Sequence, residues 1–230
     1  MRTHNFIIPN CDTDSISICY PDFRPISPEQ RSEMISEINS ILPPKIQMDD
    51  DGYFPCVLIL KTKNYALYDG KKISIKGSAL KASTKCPALK EAIKSFIDTM
   101  IHIEDTETMK CQLQELYMQY VSEIMNIDKI SRWSSRKTYS STMVSSTRLN
   151  ETKVMDALKG SNYVEGDRFN MFFLANDKLC LAENFDGDYS KPRLLKSLYD
   201  TIKVFSTVLP VKELFINYAL VKNFKKLGIL

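Results

Sequence analysis

Residues 6–20 read Phe-Ile-Ile-Pro-Asn-Cys-Asp-Thr-Asp-Ser-Ile-Ser-Ile-Cys-Tyr, and this stretch decides how the chain begins to fold. Apolar β-forming residues stand on both sides of a segment, Pro9 to Ser15, that is rich in turn formers. Strand formers separated by turn formers are typical of a β-hairpin. We therefore predict a hairpin that exposes Asp12 and Asp14 at its turn.

The two acidic residues of this turn are candidate metal ligands. Neighbouring carboxylates repel each other, and a divalent cation is the usual relief. Mg²⁺ takes one or two protein carboxylates together with substrate phosphates. Asp-rich turns are also common as purely structural elements, so Asp12 and Asp14 alone leave both interpretations open.

The residues up to about 76 predict further strands and one helix. Ser27 is a candidate N-cap for a helix over residues 28–42, where apolar residues recur at helical spacing and Pro43 ends the pattern. Residues 54–60 predict a buried strand that continues into residues 61–67. Asp69-Gly70 then predicts a hairpin turn, with residues 72–76 as the returning strand.

After Gly77 the pattern becomes mainly helical. Long amphipathic patterns predict helices, and a Ser/Thr-rich basic stretch separates them from a strand pair and two C-terminal helices. The predicted segments are helices at 87–103, 108–127 and 151–159, the basic stretch at 131–147, and strands near 168–174 and 178–181. Strands first and helices second indicate an α+β fold. We predict two domains, 1–85 and 86–230.

Composition excludes several classes of protein. The 230 residues contain no apolar run near the roughly 20 residues that span a bilayer, so we expect no membrane contact. The N-terminus lacks the apolar run of a secretory signal. Six cysteines are scattered without a CxxC pair, which indicates free thiols in a reducing compartment, the cytoplasm, and argues against structural zinc.

Charge is unevenly distributed although the net charge is only +3. Residues 1–55 carry a balance of −5, whereas residues 61–94 carry +7 and residues 129–153 carry +5. An acidic segment followed by two basic ones is expected of a protein that gathers cations at one place and phosphates at the next. Solvated surface charge is the alternative that these numbers leave open.

Several motifs, in order, resemble the C-terminal part of family B DNA polymerases, most closely those of large tailed phages and related viruses. Asp12-Thr13-Asp14-Ser15 is similar to the Asp-Thr-Asp-Ser motif of the family's palm, and Lys63-Asn64-Tyr65 is similar to its Lys-x-Tyr element. Lys76-Gly77, followed by residues 81–84, resembles the segment that leads from palm to thumb. Gly166-Asp167-Arg168 resembles a thumb motif. The order and spacing of these elements are more specific than any one of them.

The resemblance implies a palm portion over 1–85, a thumb over 86–230, and a set of site residues. Asp14 would ligate two Mg²⁺ ions, with Asp12 beside it, for two-metal nucleotidyl transfer from a dNTP to a primer. Lys63 and Tyr65 would lie along the primer–template duplex without reading its sequence. Further implied DNA contacts are Lys76, Lys81, Ser83 and Thr84. The basic stretch adds Arg136 and Lys137, for which a surface loop without DNA contact is an equal alternative.

The sequence departs from the family pattern in two ways. Asn10 and Cys11 stand where an aromatic residue and Gly usually precede the Asp-Thr-Asp turn. The family's other catalytic carboxylate, its fingers and its exonuclease lie upstream of this motif, where the sequence has eleven residues. We therefore expect polymerase activity only with a second polypeptide, as in a split enzyme or a truncated chain. Phage origin would imply the host cytoplasm.

Three further hypotheses remain. The tail from Phe224 to Leu230 fits a sliding-clamp peptide, but a helix end packed on the domain is the stronger interpretation. A second hypothesis is that the whole chain is a duplex-binding module without a catalytic role. A metal-dependent nucleotide-sugar glycosyltransferase also has an Asp-x-Asp turn, but it leaves Lys63, Tyr65 and the basic clusters unexplained.

Overall fold

A computed structural model describes residues 5–12, 14–81 and 85–220. The chain divides into two compact units, Met1–Ile75 and Lys76–Leu230. We call them the N-terminal unit and the C-terminal unit. The division falls at the end of a strand, earlier than the predicted boundary at 85/86, and the assignment of 1–85 to a palm and 86–230 to a thumb stays a prediction.

The predicted first hairpin is present in the N-terminal unit. Strands β1 (Ile7–Asp12) and β2 (Ser15–Cys19) pair antiparallel, with Asp12 opposite Ser15. The register shifts between Ile7 and Asn10, where Pro9 has no N–H to donate to the partner strand. Two residues, Thr13 and Asp14, connect the strands, and Thr13 lies outside the described residues.

Helix α1 (Pro28–Ile41) begins at the predicted N-cap, Ser27. The Ser27 hydroxyl accepts a hydrogen bond from the Gln30 N–H at 3.2 Å, and the Gln30 side chain accepts one from the Ser27 N–H at 3.0 Å. This reciprocal pair is a capping box, which satisfies two backbone donors that a helix start leaves unpaired. The local sequence is therefore sufficient to set where α1 begins.

Replacing Ser27 with Ala is expected to destabilise the first turn of α1 by about 1 kcal/mol, because the capping acceptor is lost. Amide hydrogen exchange at Gln30 and Arg31 measures this as faster local opening. Ser32→Ala, an exposed change inside the same helix, is the control and should leave exchange unchanged or slightly slower. Equal exchange rates in the two variants would mean that the cap contributes nothing.

A second sheet completes the N-terminal unit and corrects one prediction. Its strands are β3 (Cys56–Lys61), β4 (Asn64–Tyr68) and β5 (Ile73–Lys76), in that order. The strand expected to run on through residues 61–67 is broken by a turn at Thr62 and Lys63, because Lys61 pairs back with Asn64. The predicted turn at Asp69-Gly70 is confirmed, with the Asp69 carboxylate accepting from the N–H groups of Lys71 and Lys72.

The C-terminal unit is mainly helical, as the amphipathic patterns predicted. Its helices in the described residues are α2 (Ser78–Lys81), α3 (Pro87–His102), α4 (Thr106–Met125), α5 (Leu149–Leu158), α6 (Lys191–Ile202) and α7 (Val211–Leu214). A sheet of three antiparallel strands, β6 (Ser135–Thr138), β7 (Arg168–Phe173) and β8 (Leu179–Leu181), lies between α4 and α6 in chain order.

An aromatic cluster forms the centre of this unit. Phe96 on α3 is fully buried, with its ring 5.5 Å from that of Phe205 and 5.7 Å from that of Phe215. Tyr117 on α4 lies 5.1 Å from Phe215, and its hydroxyl donates to the Ile216 carbonyl at 2.7 Å. The cluster joins residues far apart in sequence, and its burial is a main source of this unit's stability.

A smaller apolar cluster lies between α5 and the sheet. It is built from Val154 and Leu158 of α5, Phe169 and Met171 of β7, and Leu181 of β8. Because side chains alternate along a strand, the residues between these β7 positions point to the opposite face. One face of the β6–β7 pair is therefore committed to packing.

The fold class is α+β, as predicted, with antiparallel sheets and seven helices in the described residues. None of those helices combines the length and the apolar character that spanning a bilayer requires.

Candidate metal and nucleic-acid site

The tip of the first hairpin is organised by the Asp12 carbonyl. It accepts the Asp14 N–H at 2.7 Å and the Ser15 hydroxyl at 3.2 Å. These bonds hold the turn tight and leave Asp14 exposed at its end. A carboxylate so placed can reach a cation without rearrangement of the backbone.

The tip of the second hairpin carries Lys63. Its backbone lies in the left-handed region, with φ of 59°, which costs a residue with a Cβ about 1–2 kcal/mol. Next to it, the buried Asn64 side chain donates to the Thr62 carbonyl at 2.9 Å and braces the turn. Lys63 therefore lies in a turn and not in a strand. In the sequence, the polar run Lys61-Thr62-Lys63-Asn64 between two apolar strands indicates this turn.

The two tips come together. Lys63 Nζ lies 3.3 Å from Asp12 Oδ1, so the predicted acidic turn and the predicted Lys-x-Tyr element share one site. The Lys63 side chain is 63% exposed and that of Asp12 is 24% exposed. An ion pair with this exposure contributes little to stability. Its effect is to position the Lys63 ammonium group beside the acidic turn.

Tyr65 is buried, unlike Lys63, with which it was predicted to contact DNA. It lies on β4 opposite Ile59 and is buried, together with Leu60 and Ala66. The residue is only 8% exposed. Its contact with the sugar–phosphate chain stays a prediction, and such a contact would involve only the small exposed part of the side chain.

The metal-binding capacity of the site is partial. Asp12 and Asp14 supply the oxygen ligands that Mg²⁺ prefers, and in this respect the residues fit the ion. Within the described residues no three His, Cys, Asp or Glu side chains lie close enough to hold a metal ion together. The two carboxylates therefore need further ligands, such as substrate phosphates, to complete a site.

The predicted contacts that follow the second sheet are located as follows. Lys76 ends β5 and Lys81 ends α2; both are exposed. Ser83 and Thr84 lie outside the described residues. Lys85, which belongs to the same basic run, donates to the Thr201 hydroxyl at 2.9 Å, and burial lowers the pKa of this lysine. Lys85 is therefore engaged inside the C-terminal unit.

The basic stretch 131–147 is partly a strand and not a continuous loop. Arg132 is held by Glu91 and Glu123, each at 3.0 Å, and Trp133 is buried. Arg136 and Lys137 both lie on β6, but alternation places them on opposite faces of the sheet. Arg136 is exposed, whereas Lys137 stands opposite the buried Phe169. The structure therefore separates these two predicted contacts.

A hairpin-rich unit with an acidic turn is followed in the chain by a mainly helical unit, and together they define an α+β protein. No protein-family model and no curated protein matches the sequence. Among solved structures, the chain is similar to the family B DNA polymerase from the hyperthermophilic archaeon Pyrobaculum calidifontis, with a TM-score of 0.64 and 14% identity. The match covers 90% of this chain and 27% of that chain. The fold is distantly related to part of a family B DNA polymerase.

Proposed function

We propose that this chain supplies one metal-binding carboxylate hairpin and part of the primer–template grip to a DNA-dependent DNA polymerase. The observation that carries the proposal is the contact between Lys63 and Asp12. Two motifs about fifty residues apart, each weak alone, meet at one place in the N-terminal unit. The distant likeness in fold to a family B DNA polymerase supports the same function.

The carboxylates have distinct roles in this proposal. Asp14, exposed at the turn, ligates both Mg²⁺ ions, and Asp12 shapes the field beside it while its carboxylate faces Lys63. When bound, the ions activate the primer 3′-hydroxyl and stabilise the leaving pyrophosphate. Each ion needs about six oxygens, so a second carboxylate and the dNTP phosphates complete the site.

Lys63 serves the DNA end in this proposal. Its ammonium group has three N–H donors and its side chain is more than half exposed, so a minor-groove acceptor or a phosphate can reach it. Contacts of this kind do not depend on base sequence, which a polymerase requires. Lys76 and Lys81 add phosphate contacts from their exposed positions at element ends.

The surface of the N-terminal unit supports completion by further polypeptide. Within its described residues only Tyr20, Leu60, Tyr65 and Ala66 are buried apolar side chains. Large apolar side chains remain exposed: Ile7, Ile8, Phe23, Ile41, Ile46 and Tyr53. In this proposal, a further segment covers part of this exposed apolar surface. In this proposal the covering segment carries the second carboxylate and the fingers, in the same or a second polypeptide.

Replacing Lys63 with Gln is expected to lower primer extension by the completed polymerase about tenfold, a change of about 1.4 kcal/mol, because the cation beside the acidic turn is lost. Steady-state primer extension measures this. Asp12→Asn should cost less in the Lys63→Gln background than alone, since the two side chains interact.

Lys71→Gln is the matched control, because Lys71 is an exposed lysine in another turn of the same sheet. It should leave extension unchanged. Additive effects of Lys63→Gln and Asp12→Asn, or an equal loss in the control, would contradict a shared site.

A further inference from the structure

A cleft of about 560 Å³ lies in the C-terminal unit at the β6–β7 pair, where Phe169 and Tyr163 at the edge of the apolar cluster form part of its wall. Polar side chains dominate its wall. They include Ser131, Arg136, Tyr163, Arg168, Asn170 and Glu183. The described residues of the acidic-turn site do not line the cleft, and of the described DNA contacts expected from sequence it contains Arg136.

The strand register explains why two arginines meet here. Arg136 pairs with Asn170 and Thr138 pairs with Arg168, and residues opposite each other in a sheet share a face. Arg136 and Arg168 are therefore diagonal neighbours on one face, with their Cα atoms roughly 7–8 Å apart by sheet geometry. Alternation turns their neighbours in sequence, Lys137 and Phe169, to the other face, although Phe169 still borders the cleft.

These two arginines differ from the other arginines in residues 5–12, 14–81 and 85–220. Five of those form ion pairs: Arg24, Arg31, Arg132, Arg148 and Arg193. Within the same ranges, neither Arg136 nor Arg168 lies within ion-pair distance of a carboxylate. Two guanidinium groups that share one cleft and form no ion pair there repel each other and favour an anionic ligand.

The one carboxylate in the cleft wall is already engaged. Glu183 Oε2 accepts a hydrogen bond from the Tyr163 hydroxyl at 3.1 Å. Burial and this bond to Glu183 both raise the pKa of Tyr163, which keeps its hydroxyl protonated and donating. The cleft therefore carries two positive charges against one negative charge.

We propose that this cleft binds successive backbone phosphates of one nucleic-acid strand, with Arg136 and Arg168 as the two phosphate ligands. A guanidinium group matches the geometry of phosphate oxygens and binds them in bidentate fashion. The diagonal spacing of the arginines is comparable to that of neighbouring phosphates along a strand. Ser131 and Asn170 add neutral donors, and none of these groups needs to reach a base edge.

The proposal rests on the proposed function for the identity of the nucleic acid, a primed DNA duplex, and its test separates the two. The double variant Arg136→Gln/Arg168→Gln is titrated with primed duplex over a range of salt concentrations. Each lost phosphate contact lowers the salt slope by about 0.9, so the slope should fall by about 2 and the affinity by about tenfold. Arg136→Lys/Arg168→Lys retains both charges and should restore the slope.

The matched control removes two charges of the same unit from outside the cleft. Lys159 and Lys196 are exposed and paired with Asp156 and Asp200, so Lys159→Gln/Lys196→Gln should retain the wild-type slope. Circular dichroism and thermal unfolding establish that all variants are folded. A free nucleoside triphosphate is titrated in parallel, because its phosphates share the same chemistry.

The outcomes are distinct. Loss of slope in the double glutamine variant alone supports the strand-binding cleft. Wild-type duplex binding in that variant overturns the strand-binding role of the cleft and leaves the proposed function standing. Loss of triphosphate binding alone assigns the cleft to a free nucleotide and also overturns the strand-binding role. No salt-dependent duplex binding by the wild-type chain overturns both the cleft and the duplex grip.

Discussion

Replacing Asp14 with Asn is expected to lower nucleotidyl transfer by the completed polymerase about a thousandfold while leaving duplex affinity nearly unchanged. The amide keeps the shape of the carboxylate but loses the negative charge that would hold the ions in the proposed site. A bound metal contributes several kcal/mol to transition-state stabilisation, and each 1.36 kcal/mol is a factor of ten in rate. Single-turnover primer extension and an equilibrium duplex titration measure the two quantities separately.

Asp22→Asn is the control for this experiment, because Asp22 is an exposed acid of the same unit whose carboxylate pairs only weakly with Arg24, at 3.9 Å. It should leave both quantities as they are. Full transfer activity in Asp14→Asn, with the duplex still bound, would reject the catalytic role. The chain would then be a duplex-binding module, the alternative that the sequence leaves open.

Excess metal adds a second test of the same carboxylate. If Asp14 ligates Mg²⁺, the residual activity of Asp14→Asn should need a higher Mg²⁺ concentration for half-maximal rate, since a ligand has been removed. The Lys63→Gln variant retains both carboxylates and should keep the wild-type Mg²⁺ requirement. A common Mg²⁺ profile for the two variants would place Asp14 outside the metal site.

Replacing Phe96 with Ala is expected to lower the free energy of unfolding of the C-terminal unit by about 3–5 kcal/mol. Phe96 is fully buried and lies between Phe205 and Phe215, so the change leaves a cavity where two aromatic contacts existed. Trp133 is the single tryptophan and is buried in the same unit, so its fluorescence reports unfolding there during denaturant titration.

Val164→Ala is the control for stability, because Val164 is a mostly exposed apolar residue of the same unit. A surface truncation of this kind should change the unfolding free energy by no more than about 0.5 kcal/mol. A loss below about 1 kcal/mol in Phe96→Ala would show that the aromatic cluster is not the centre of the core.

Local elements of this fold were predictable because their signals lie within a few residues. Ser27 and Gln30 form the capping box of α1, three positions apart, and no distant residue is needed to start that helix. Asp69 and Gly70 form their turn because a side-chain acceptor and a positive φ of 92° meet in adjacent residues. The long helices followed from apolar spacing in the same way.

Other features were missed or incomplete because they depend on pairing. The turn at Thr62 and Lys63 interrupts what reads as one continuous strand, and only the pairing of Lys61 with Asn64 reveals it. Arg136 and Lys137 were predicted together, yet a period of two residues separates adjacent strand positions onto opposite faces. Arg168 belongs to the Gly166-Asp167-Arg168 motif, but only the strand register shows that it shares a face with Arg136.

The sequence alone determined most of the helices and hairpins, their order, the α+β class and the acidic turn, since each depends on the preferences of neighbouring residues. The tertiary structure decided which of the charged residues meet. Lys63 contacts Asp12, and Arg136 shares a sheet face with Arg168. Arg132 instead pairs with Glu91, and Lys85 donates to Thr201. The spacing of apolar and polar residues can be read from the sequence, because it involves near neighbours. The contact of two side chains distant in sequence depends instead on strand register and helix packing.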